Sequence, residues 1–179
     1  LATFPMISGE ADPRSQLSRI CAGTGDLEGA IRWLEEHVAV TYEDLEARKK
    51  LVDWYRDRKD KAAMKRHLLA MINVYPLDRA VHEGLGGLYL EEGRGDAAVT
   101  EFEVAIALQQ LTPEQDRSPA DEAGLRVMLG KAFMLDEDSL EEALAQARLA
   151  LELVPGHAEA RALKRAIEAA RQTDGVDCK

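Results

Sequence analysis

The sequence predicts an all-α fold: a solenoid of four helix pairs closed by a C-terminal capping helix. Three observations predict it. First, Gly86 stands inside the helical apolar pattern of "LGGLYLEEGRGDAAVTEFEVAIAL", residues 85 to 108, where glycine costs roughly 1 kcal/mol relative to alanine. Second, that pattern recurs at intervals of 34 residues, a period expected of helical repeat arrays. Third, aromatic residues make up only 5% of the 179 residues, whereas hydrophobic residues reach 46% and small Ala and Gly are plentiful. Such a composition favours closely packed helices over a sheet-based core.

The elements follow from the register. Leu85, Tyr89, Ala98 and Phe102 shift by 34 onto Leu51, Tyr55, Met64 and Leu68, and by 34 again onto Leu17, Cys21, Ala30 and Leu34; Gly93 shifts onto Lys59 and Gly25. Three units therefore run near 11–44, 45–78 and 79–112, after an irregular N-terminal segment, 1–10. A fourth, 123–157, follows a loop insertion at 113–122. Within it Leu129, Gly130 and Phe133 repeat Leu85, Gly86 and Tyr89. One extra residue then falls in "LDEDSLEE", after which Ala143, Ala147, Ala150 and Pro155 resume the register, with Pro76 in the matching late slot of unit two. Residues 158–172 carry an apolar stripe of Leu163, Ala166, Ile167 and Ala170 opposite charged side chains, as a terminal cap requires. Residues 173–179 read as a disordered tail.

The slots have physical roles. Leu and Tyr at i and i+4 share a helix face. Gly86 and Gly130 lack a Cβ, so a second helix can come close, and packing offsets the lost propensity. Asp26, Asp60, Asp96 and Ser139 are placed to cap the second helix of each unit. Ser139 with Glu142 matches a capping box, and Thr41 with Asp44 nearly does. Thr112-Pro113 and Ser118-Pro119 read as helix starts, so the insertion holds one short turn and the next helix begins at Pro119.

These residues resemble the tetratricopeptide repeat family. Unit three carries Leu85-Gly86-x-x-Tyr89, then Ala98-x-x-x-Phe102, then Ala105; unit four carries Leu129-Gly130-x-x-Phe133 and Pro155. His82 stands where the family has Trp. The resemblance covers residues 11 to about 172 and implies a right-handed α-solenoid of four tetratricopeptide-like helix pairs plus the capping helix. It also implies a concave surface, lined by the first helix of each pair, that binds a peptide or partner helix. Carried over residue by residue, its binding positions are Arg19, Lys49, Asp53, Arg56, Glu83, Gly87, Leu90, Val127, Lys131 and Met134. That surface is charged in its first half; in its second it is small and apolar, with Leu90, Val127 and Met134 able to grip side chains and Gly87 and Gly124 admitting a ligand backbone. The family's basic, Asn-bearing clamp for a C-terminal carboxylate pair does not transfer, because Glu46 and Asp53 oppose an anion.

The function expected is a non-enzymatic interaction scaffold or adaptor for a protein or peptide partner. The alternative is a helical, substrate-positioning appendage of a larger enzyme, such as an envelope protease or transferase. Self-association is a third possibility. No catalytic residues, metal site or cofactor are expected: His37, His67, His82 and His157 are scattered, without i, i+4 pairing, and two cysteines, Cys21 and Cys178, make no disulfide framework. A net charge of −10 argues against a nucleic-acid partner. The stretch 43–67 is the exception, with nine Lys or Arg against six Asp or Glu. It reads as a salt-bridged helix pair or as a docking patch for an acidic partner. No apolar run approaches the ~18 residues of a membrane span. The first residue is Leu1, so a processed or excised chain is expected, with cytoplasm and periplasm both open.

Overall fold

The structure is a computed structural model that describes residues 12–174. The expected irregular segment 1–10, and the tail beyond 174 with Cys178, lie outside the described residues. The described residues form α1 (Pro13–Gly23), α2 (Leu27–Val40), α3 (Leu45–Asp57), α4 (Lys61–Val74), α5 (Arg79–Glu91), α6 (Gly95–Leu111), α7 (Pro119–Phe133), α8 (Leu140–Leu153) and α9 (Ala158–Asp174), with 3-10 turns at Glu114–Asp116 and Glu137–Ser139. The chain makes two compact units, Leu1–Pro76 and Leu77–Lys179.

In the first unit α1 packs on α2 and α3 on α4, and α2 joins α3. Ile31, Leu34, Val38, Ala47 and Leu51 form its core, with Trp54 and Tyr55 against them. Ser18 donates to Ala30 O at 2.8 Å, so the polar residue buried in α1 is satisfied by α2. In the second unit one cluster joins Ala98, Phe102, Ala105 and Ile106 of α6 to Leu125, Leu129 and Ala132 of α7. Another joins Ala123 and Val127 of α7 to Ala143, Leu144 and Ala147 of α8 and to Ala160, Leu163 and Ile167 of α9.

The glycine slots are filled as close packing requires. A Cβ on Gly86 would stand 2.8 Å from Phe102 Cε1, so the ring of α6 lies flat on the glycine of α5. On Gly130 it would meet Leu163 Cδ2 at 2.8 Å and the Ala143 carbonyl at 3.3 Å. The same slot thus receives a partner from the second helix of the pair in one case, and mainly from the cap helix in the other.

The turns repeat at atomic level. Gly25, Lys59 and Gly93 have φ of 83°, 58° and 71°. After each, the next amide closes the helix onto a carbonyl five residues back: Asp26 N to Cys21 O, Asp60 N to Tyr55 O and Arg94 N to Tyr89 O, all 2.9 Å. These are three Schellman ends. Asp26 and Asp60 then cap the next helix, accepting from Gly29 N at 2.9 Å and Ala63 N at 3.0 Å. The third slot holds Arg94, which has no such cap; its guanidinium instead lies 4.5 Å over the Tyr89 ring.

Three capping expectations are corrected. Asp96 lies inside the first turn of α6 and is not its cap, because the 34-residue register puts Arg94 there. Ser139 accepts no cap bond and makes no box with Glu142: the extra residue turns the chain through a 3-10 helix, and Ser139 donates to Asp136 Oδ2 at 2.8 Å. Thr41 closes α2, while Asp44 is itself the cap of α3. Across the insertion, Arg117 donates to the carbonyls of Thr112 and Gln110 and so satisfies the end of α6. Ser118 caps α7 through Asp121 N at 3.2 Å.

Candidate functional site

Charged residues of the first unit largely pair among themselves. Arg19 is exposed on α1. On α3, Lys49 meets Glu46 at 3.3 Å and Arg56 meets Asp53 at 2.6 Å. Of the basic stretch, Arg58 pairs with Glu28, Arg66 with Glu35, Lys50 covers Trp54, and buried Arg48 donates to the Tyr42 and Val38 carbonyls. These bridges run within α3 and from the basic stretch to Glu28 and Glu35 of α2.

Three histidines are buried against carboxylates. His37 Nδ1 lies 3.0 Å from Asp12 Oδ2 and Nε2 lies 2.8 Å from Asp44 Oδ2, so both ring nitrogens are within hydrogen-bond distance of a carboxyl group. Because Asp12 and Asp44 are the caps of α1 and α3, this one ring ties two helix starts to the last turn of α2. Burial pushes Asp12 up, but hydrogen bonds from Arg14 and His37 outweigh it and hold the carboxyl at about 2. Glu35 likewise is raised by burial but lowered further by His67 and Tyr55, to about 2. It accepts from His67 Nε2 at 2.9 Å and from Tyr55 Oη at 2.6 Å. In the second unit His82 Nδ1 meets Glu101 at 2.7 Å. These rings are structural. The sequence pairs none of them with its acid, because the partners lie on other elements, 7 to 32 residues away.

The second unit carries an open face built by α5 and α7, which touch directly. From α5 it takes Glu83, Gly87 and Leu90, spaced so that they share one side of the helix. All three are half-buried. Of α7 it takes Asp121, Gly124, Met128 and Lys131, the residues left accessible on one side of that helix. A Cβ added at Gly87 or Gly124 would meet nothing within 4 Å. Leu90 and Met128 each stay partly exposed while packing on the same core cluster.

One expected residue is corrected. Val127 is 1% exposed, enclosed by α8 and α9 side chains, and unavailable to a partner. Met134, the C-cap of α7, packs on that same cluster but stays partly exposed. Met128 and Asp121 join the face in place of Val127; the signal in the sequence was the 121, 124, 128, 131 spacing. Lys131 is on the face, but its ammonium is held by Glu159 of α9 at 3.0 Å.

Glu83 is the ionisable group set deepest in this face. Its Oε1 is buried, lies 3.2 Å from Arg79 Nη1, and receives no aligned hydrogen bond. Burial raises its pKa; Arg79 opposes this, while Asp121 and Asp78 add to it. A shallow cleft of about 220 Å³ lies elsewhere on this unit, but Arg126 at its wall is already engaged by Glu122 and Gln146. Among the described residues no cluster of His, Cys, Asp or Glu is arranged to hold a metal, and no helix is long and apolar enough to cross a membrane.

No family model matches the chain, and no curated protein matches it. Solved structures do. YrrB, described as a tetratricopeptide-repeat protein with an unusual peptide-binding site, superposes with a TM-score of 0.71 at 17% identity, covering 90% of this chain and 78% of that one. MamA (residues 41 to the end) from Desulfovibrio magneticus RS-1 gives 0.66 at 18% identity, covering 93% of each chain. A further MamA structure gives 0.64 at 16% identity, over 89% of this chain and 86% of its own. The helix pairs, their glycine slots and these superpositions agree: the chain has the all-α tetratricopeptide-repeat fold.

Proposed function

We propose that the protein is a non-enzymatic interaction scaffold that seats a peptide or a partner helix on the α5–α7 face of its second unit. One observation carries the reading. Gly86 and Gly130 are occupied by packed side chains, which offsets the cost of glycine in a helix, but Gly87 and Gly124 face open space. Glycine there keeps its full cost of about 1 kcal/mol without any internal contact in return. A ligand backbone approaching closely supplies a reason for it. Leu90 and Met128 add aliphatic surface of the kind that grips apolar side chains. The fold shared with YrrB, a protein described as binding a peptide, is consistent with this use.

The test fills the channel. A Gly87→Leu, Gly124→Leu variant places side chains in the open space and gains helix propensity. Affinity enrichment with mass spectrometry should recover a specific protein with the wild type and lose it with the variant, at undiminished thermal stability. Equal recovery by both proteins would sink the reading.

A further inference from the structure

Resting on the peptide-seating reading, we infer that the occupant of the α5–α7 face presents a lysine or arginine side chain to Glu83 and an aliphatic side chain to Leu90 and Met128. The charges of the face carry the first half. Glu83 shares its surroundings with Asp121 and Asp78, and the cation beside it is Arg79, one helical turn away. Lys131, the other base on the face, is drawn off by Glu159. Arg79 takes the buried Oε1 of Glu83, and the rest of the side chain, 35% exposed, stays open on the face. A guanidinium or ammonium from a partner meets that open part and supplies the compensating charge. An acidic ligand meets the opposite situation.

Geometry carries the second half. Glu83 and Leu90 are seven residues apart on α5, about 10 Å along its axis. An extended peptide spans that distance in about three residues, and a helical one in about two turns. The recognised pattern is therefore a base and an aliphatic residue at one of those two spacings. Gly87 lies between the anchors, where the ligand backbone can come close.

The probe is a phage-displayed library of random short peptides, selected on the whole protein and then remade as synthetic peptides. Enrichment of Lys or Arg beside an aliphatic residue is expected. The selected peptide should bind Glu83→Gln at least about tenfold more weakly, and a peptide with its base changed to Gln should lose as much on the wild type. The second measurement stands even if the variant folds poorly. Selected peptides that are blocked by Gly87→Leu yet indifferent to both charge changes would overturn the cationic assignment and leave the face standing. Peptides unaffected by Gly87→Leu, or no selection at all, would overturn the face and the assignment together.

Discussion

The Phe102 ring of α6 lies directly over Gly86 of α5, so close that a Cβ there would stand 2.8 Å from Cε1. Phe102 is 1% exposed and belongs to the α6–α7 core. Gly86→Ala should therefore destabilise the protein by about 1–3 kcal/mol, the usual cost of overpacking. Gly87→Ala, one residue on, meets nothing and should stabilise by up to about 1 kcal/mol. Denaturant titration of both variants checks the prediction; equal signs would refute it.

Lys59 holds the left-handed turn position that Gly25 and Gly93 fill in the neighbouring repeats. A side chain in that conformation costs about 1–2 kcal/mol per residue. Replacing Lys59 by Gly should therefore raise the melting temperature, whereas Gly93→Ala should lower it. The loss of helix-closing strain offsets the extra freedom glycine gives the unfolded chain, so the gain should fall below 1–2 kcal/mol.

His37 is fully buried between Asp12 and Asp44. Removing the ring by His37→Leu leaves Asp12 to Arg14 alone and Asp44 to the Ala47 amide. Losing a hydrogen bond to a charged group costs about 1.5–3 kcal/mol. Amide hydrogen exchange should show α1 losing protection first, and full protection in α1 would contradict the staple.

Acid should weaken the first unit. Asp12 falls from its ordinary 3.8 to about 2, and Glu35 from 4.5 to about 2. A depressed carboxyl adds stability that is complete above the unfolded value and is lost as pH falls through the folded one. The loss is expected between about pH 4.5 and 2, and Asp12 accounts for about 2 kcal/mol of it. Asp12→Asn should flatten the stability profile across that window. An unchanged slope would show that Asp12 does not titrate there.

Glu83 works in the other direction. Its folded pKa is raised, so its ionised form opposes folding, and the stability linked to its neutral form is lost as pH rises through the raised value. At neutral pH Glu83→Gln should leave stability unchanged or higher. Thermal melts of the two proteins side by side test this, and a large loss of stability would mean that the Arg79 ion pair outweighs burial.

The sequence by itself determined the helix pairs, the positions of their close contacts and the shape of their turns. Each of these is set within a few residues: an i, i+4 apolar pair, a glycine where no Cβ fits, a C-terminal residue that tolerates positive φ. Even the missed cap was legible, since Asp26 and Asp60 point by register to 94, not 96. Tertiary structure alone decided which side chains stay open. Val127 reads as a surface residue until α8 and α9 cover that side of α7, leaving Met128 in its place. It alone matched each buried histidine with its acid, and separated Gly86, under a phenyl ring, from Gly87, in open space. Periodicity fixes the phase of a helix, but a one-residue step turns a side chain by about 100°, and only the packed neighbours say which side of that step is inside.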